Sequence, residues 1–243
     1  MLHLLFHFQI QLLEQKQLQF IDGDNTNTII EPSDTINQAL CTHTYLSPGE
    51  YIIEIYSTNE YMPYFSFYSN YRTVNNNPKK LINVLTSMHN TRVIGSDSIF
   101  NDCTNLISIP SNLFKNNPQK TTFMNCFYLC SSLTSIPEGL FDNNLLVTRF
   151  DFCFNGCPSL TSIPEGLFDN NLLVTSFSYC FNNSNNLTLN ERIFSSTLDY
   201  INRFANKTVN FDYCFNRNGT FTGIQGTAPE LWNYTFNYRQ NND

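Results

Sequence analysis

Residues 126–152 read CFYLCSSLTSIPEGLFDNNLLVTRFDF and residues 153–179 read CFNGCPSLTSIPEGLFDNNLLVTSFSY; 21 of 27 positions agree. The stretch LTSIPEGLFDNNLLVT recurs without change at 133–148 and 160–175. A diverged copy, IFNDCTNLISIPSNLFKNNPQKTTFMN, precedes them at 99–125. A fourth copy opens at Cys180 with CFNNSNNLTLNERIF and runs longer, to Tyr213, before Cys214-Phe215 begins a partial fifth. A fixed period of this length is the signature of units that stack along one axis.

The reason to stack is hydrophobic. Within one copy the apolar positions are Leu160, Ile163, Leu167, Phe168, Leu172, Leu173, Val174, Phe177 and Phe181. A single unit cannot enclose so many large side chains, but adjacent copies in register let each apolar rung cover the next. The segment 159–164 (SLTSIP) is expected to form a short strand closed by Pro164, which lacks a backbone donor. Gly166 turns the chain, and Asp169-Asn170-Asn171 is turn chemistry, since Asn and Asp side chains bond their own backbone. The following LLVTSFSYCF is compatible with a return strand or a helical turn.

Composition narrows the function classes. The chain has 243 residues and a net charge of −7, with 14% charged residues and 35 Asn. The cationic surface that neutralises phosphates is missing, so nucleic-acid binding is not expected. No apolar run reaches the ~20 residues of a membrane span. With 22 Phe and 13 Tyr the chain is too apolar for a disordered tail. The apolar start MLHLLFHFQI lacks a preceding cation and a small-residue cleavage site, and Phe6, Phe8 and Ile10 alternate with His7, Gln9 and Gln11. That pattern reads as a strand rather than a signal peptide.

The repeat residues SLTSIP…LF…VTSFSYCFNGC resemble the BspA-like leucine-rich repeats of bacterial surface proteins and the related repeat of mycoplasma surface lipoproteins. The resemblance covers 81–225 and implies a mainly β leucine-rich-repeat solenoid with one parallel strand per coil, acting in adhesion or protein contact without catalysis. The closing Gly226–Trp232 looks like the terminal cap of such an array, over 226–243. Upstream, Phe20-Ile21-Asp22-Gly23-Asp24 and Thr42-His43-Thr44-Tyr45, followed by Pro48-Gly49 and an alternating strand at 51–56, are similar to the second half of a PKD-type immunoglobulin-like sandwich. Residues 1–57 are too few for the whole sandwich, so this reading expects either an abbreviated domain or, the favoured alternative, a chain that is an N-terminally shortened piece of a longer one. Residues 58–80, aromatic and then Asn-rich, read as a linker, with 80–85 as a capping first strand.

Little in the chain carries reaction chemistry. Cys103, Cys130 and Cys157 are spaced by 27, as are Cys126, Cys153 and Cys180. They read as structural core residues. Bridges between rungs ~4.8 Å apart are a rival reading. Zinc is disfavoured because the pairs are C-x-x-x-C and no His completes a set. The four His (3, 7, 43, 89) form no metal pair, and Asp22-Gly23-Asp24 does not continue as a calcium loop. No nucleophile elbow, phosphate loop or dinucleotide fingerprint occurs. The expectation is a non-enzyme without metal or cofactor.

The polar positions between the inward Leu and Ile are Ile107/Ser108, Thr134/Ser135, Thr161/Ser162 and Thr188/Leu189. Thr134, Ser135, Thr161 and Ser162 are therefore the candidate ligand-binding residues, on a flat uncharged face suited to a protein or glycan of a cell surface. The expected setting is extracellular, on a bacterial cell. A phage virion protein and an intracellular scaffold are the alternatives.

Overall fold

A computed structural model of the chain describes residues 81–88, 98–188, 192–194 and 209–215, together with the backbone of six short strands closer to the N-terminus. These strands are β1 (Phe8–Gln11), β2 (Leu18–Ile21), β3 (Asn27–Ile30), β4 (Ala39–Cys41), β5 (Glu54–Ser57) and β6 (Tyr64–Ser66). They form two antiparallel three-stranded sheets, ordered β4-β1-β6 and β3-β2-β5. The alternating segments at 6–10 and 51–56 thus overlap β1 and β5. Within the aromatic stretch of 58–80, Tyr64–Ser66 is a strand whose Phe65 pairs with Ile10 of β1. Aromatic and β-branched residues favour pleated backbone, which accounts for a strand there. The four His, the Asp22-Gly23-Asp24 turn, the Thr42–Leu46 segment and the cap at 226–243 with Trp232 lie outside the described residues.

In the repeats, the chain pairs with itself one copy away. Parallel bridges join Thr122 to Arg149, Arg149 to Ser176 and Ser176 to Asn210; others join Asn83 to Ser108 and Ser162 to Thr188. The amide of Thr148 donates to Thr121 O at 2.8 Å, and that of Thr175 donates to Thr148 O at 2.8 Å, so the 27-residue step is repeated in the backbone itself. Asn210 continues the line by donating to Thr175 O at 2.8 Å, across the longer fourth copy. Residues 81–88 lie against the first repeat, with Ile107 N donating to Ile82 O at 2.7 Å and Met88 N to Leu113 O at 2.8 Å. Each pairing is a single bridge rather than the short strand expected over 159–164. Leu133 and Ile136 are both buried with two exposed residues between them, a spacing of three that a pleated strand of period two does not hold. The described residues contain no helix, so LLVTSFSYCF resolves into one bridge residue, Ser176, followed by turns.

Phenylalanine fills the core in three columns. Phe100, Phe127, Phe154, Phe181 and Phe215 stack with centroids 5.2–5.4 Å apart and planes within 7°. Phe123, Phe150, Phe177 and Phe211 form a second column at 5.3–5.7 Å. Phe114, Phe141, Phe168 and Phe194 form a third at 5.5–6.0 Å. The second and third columns meet edge-on, as at Phe141–Phe150 with centroids 4.8 Å apart. Stacked and edge-to-face pairs each add about 0.5–1.5 kcal/mol beyond area burial, so identical rings at equivalent positions reinforce the register that the backbone sets.

Turns between the columns are tied by buried amides. Asn144 Nδ2 donates to Phe114 O (3.2 Å) and Asn117 O (2.8 Å), and Asn171 Nδ2 repeats this with Phe141 O (3.2 Å) and Asn144 O (2.9 Å). One side chain thereby adds a second donor to two carbonyls of the preceding copy that already accept a turn amide, as Phe114 O does from Asn117 N at 3.0 Å and Asn117 O from Lys120 N at 3.2 Å, and so ties one copy to the next. Left-handed backbone recurs every 27 residues at Ser98, Asn125, Phe152 and Tyr179, then at Tyr213 across the longer fourth copy, and every 27 residues at Asp102, Leu129, Gly156 and Asn183.

Candidate functional site

The extended segment after each cysteine pair is anchored from below by Leu133 and Ile136 in one copy and by Leu160 and Ile163 in the next, all buried. Thr134, Ser135, Thr161 and Ser162 stand between these anchors and are all exposed. Ile107 and Ser108 extend the line on one side and Thr188 on the other, also exposed. The copies are tied here by Thr134 N donating to Ile107 O at 3.2 Å and Thr188 N to Thr161 O at 2.9 Å.

Part of this hydroxyl capacity is spent within the protein. Thr134 Oγ1 donates to Ile107 O at 3.3 Å, and Ser108 Oγ donates to Asn83 Oδ1 at 2.7 Å. Ser135, Thr161 and Ser162 make no side-chain hydrogen bond among the described residues and are open to an outside donor or acceptor. No charged side chain stands between the anchoring Leu and Ile of these copies. Such a surface can bind through hydrogen bonds and close approach, and offers neither a nucleophile with a base nor a charged clamp.

The cysteines lie away from this strip. Seven thiols, those of Cys103, Cys126, Cys130, Cys153, Cys157, Cys180 and Cys214, are free and buried. Their two columns do different jobs. Cys130 Sγ donates to Phe100 O at 3.1 Å and Cys157 Sγ to Phe127 O at 3.2 Å. Ser184 fills the same slot in the next copy and donates to Phe154 O at 2.9 Å, so the slot selects a small donor rather than sulfur as such. The other column, Cys126, Cys153, Cys180 and Cys214, begins with Ile99 in the first copy, so it also accepts an apolar side chain with no donor. Desolvation pushes the thiols of Cys103, Cys130, Cys153, Cys157, Cys180 and Cys214 well above their ordinary range, which keeps them protonated and unreactive. No cluster of metal-ligating side chains occurs among the described residues, and no helix among them is long and apolar enough to cross a membrane.

Two features escape the sequence reading. The first is a buried polar contact between the near-identical copies: Arg149 Nε donates to Asp151 Oδ2 at 2.8 Å, while Ser176 Oγ donates to Asp151 Oδ1. Asp151 and Ser176 are both buried. These are positions at which the two copies differ, Arg149 against Ser176 and Asp151 against Ser178. Divergence between otherwise identical copies is the signal that points to them. The second is a correction. Leu172 and Leu173, counted as inward, are 56% and 51% exposed, and Leu145 and Leu146 are 55% and 49% exposed. The buried Asn144 and Asn171 hold the preceding turn inward, so the next two residues bulge out and only Val147 and Val174 return to the core.

Comparison with family models, curated proteins and solved structures returns no match to this chain. The resemblance to BspA-like repeats rests on the repeat residues themselves.

Proposed function

We propose that the repeats form a leucine-rich-repeat solenoid whose hydroxyl-lined strip recognises a protein or glycan on a cell surface, without catalysis, metal or cofactor. The observation that carries this is the exposure of Thr134, Ser135, Thr161 and Ser162 on adjacent copies over a fully buried anchor row. Repetition of small hydroxyls one rung apart matches a ligand that is itself extended and uncharged, as a polysaccharide chain or a flat protein epitope is. The absence of charge lowers non-specific association and leaves selectivity to hydrogen bonds and shape. An extracellular setting on a bacterial cell accompanies this reading through the family resemblance.

The test is a glycan-array and host-surface binding assay with the full chain. It is run beside a variant carrying Thr134→Lys, Ser135→Lys, Thr161→Lys and Ser162→Lys. Specific binding that falls at least tenfold in a variant of unchanged circular dichroism supports recognition through the strip. A folded wild-type chain that binds nothing on either panel, or binding the variant retains, overturns it in favour of a structural role within a larger assembly.

A further inference from the structure

The four exposed leucines form a second surface, separate from the hydroxyl strip. Leu145-Leu146 and Leu172-Leu173 follow equivalent turns in adjacent copies, and those turns are in direct contact through the Asn171 amide, which donates to Asn144 O at 2.9 Å. The fold does not require leucine there. In the preceding copy Pro118 and Gln119 occupy the same two positions, while the neighbouring buried positions Phe114 and Asn117 are kept. About half of each leucine is left in water in both copies.

The surroundings state the chemistry of what covers them. The two identical 16-residue segments that carry the leucines hold Glu138, Asp142, Glu165 and Asp169 and no Lys or Arg. Asp142 turns its carboxylate back over Gly139, where an added Cβ would meet Oδ2 at 3.0 Å. Of the arginines that follow these segments, Arg149 pairs with Asp151 at 2.8 Å, while Arg192 approaches one of the four acids, Glu165, at 3.5 Å in a contact exposed on both sides. In the preceding copy the acidic positions are Ser111 and Lys115. Acids and leucines therefore arrive together in two copies and are missing together in the third. Spacing favours a helix as the occupant. Equivalent rings in adjacent copies stand 5.2–6.0 Å apart, and residues four apart on a helix surface stand ~5–6 Å apart.

We propose that Leu145-Leu146 and Leu172-Leu173, with their acidic surround, dock a cationic amphipathic helix of a partner protein. The partner's apolar stripe lies across the leucines, and its flanking Lys and Arg meet the carboxylates.

The probe is a fluorescein-labelled helical peptide of Leu and Lys with its leucines in one stripe, titrated with the full chain. A scrambled peptide of identical composition is the control. One variant carries Leu146→Gln and Leu173→Gln, and a second carries Glu138→Ser and Asp142→Lys; each borrows residue types the preceding copy already accommodates. The expected result is binding of the striped peptide at least tenfold tighter than the scramble. Each variant should weaken it at least tenfold, and the charge variant should also flatten the salt dependence. Preserved circular dichroism shows that the variants fold. The four-hydroxyl variant described above should bind the peptide as wild type does, so this docking and the strip's recognition fail independently. Equal binding of striped and scrambled peptides, or variants that bind undiminished, overturns the proposal. So does sedimentation showing a dimer that the leucine variant dissociates, which would make a second copy of the chain the occupant.

Discussion

Gly156 shows how a single atom is constrained by the repeat. Its φ is +73°, and a Cβ built there would stand 2.7 Å from Leu129 Cδ2 of the preceding copy. Left-handed backbone costs a residue with a Cβ about 1–2 kcal/mol. Gly156→Ala is accordingly expected to lower the unfolding free energy by about 1–2 kcal/mol from backbone alone, with a smaller further loss from moving the partly exposed Leu129 side chain aside. In a Leu129→Ala background the clash is removed and the loss should shrink toward the backbone share. Urea denaturation of the four chains closes the cycle, and an equal loss in both backgrounds would show that the Leu129 contact plays no part. Equivalence of positions 102, 129, 156 and 183 is legible in the sequence, yet their shared left-handed conformation is not. Asp, Leu, Gly and Asn fill the slot in turn, and a leucine at φ 60° argues against it on propensity.

The columns are the elements of this protein, and the buried thiols give them a titratable signature. A thiol ordinarily ionises near 9.0, and burial raises six of them, in Cys103, Cys130, Cys153, Cys157, Cys180 and Cys214. The folded state therefore keeps protons that the unfolded state releases above about pH 9. Since the unfolded state then binds fewer protons, stability falls as pH rises, by about 1.4 kcal/mol per pH unit for each such thiol. Below about pH 8 both states hold the proton and the thiols contribute no slope. Urea midpoints measured across neutral and alkaline pH should thus be flat at first and then drop steeply, and Cys153→Ala should remove one increment of that slope. A midpoint that stays level through pH 10 would mean the thiols reach water in the folded state. Their place in the core was legible because the spacing of 27 marks a fixed slot. The leucine pairs were not legible in the same way. Inside a five-residue turn apolarity has no period to read, and the deciding contact is the Asn144 or Asn171 amide reaching carbonyls 27 and 30 residues back.

At the scale of the whole molecule, stability is expected to be a sum of unit and interface terms, since each copy bonds only to its immediate neighbours in the described repeats. Deleting Leu133–Ser159 removes 27 residues and joins Ser132 to Leu160, restoring the sequence SSLTSIP at the junction. Phe127 then stands one period from Phe181, and Cys130 from Ser184, so every column closes up with the same residue types. The buried Asp151 leaves together with Arg149, and no unpaired charge remains behind. The shortened chain should fold, with free energy of unfolding and denaturant slope both reduced in proportion to the lost copy. Deleting Leu133–Pro158 instead removes 26 residues and shifts every later column by one position. Phenylalanines would then face turn residues, and buried asparagines would lose their carbonyls. This chain should lose the interface at the junction and unfold at lower urea than the 27-residue deletion. Urea unfolding followed by circular dichroism compares the two directly. Equal stability in both deletions would mean that the stacked rings and amides do not set the register, and that the copies associate through apolar collapse alone.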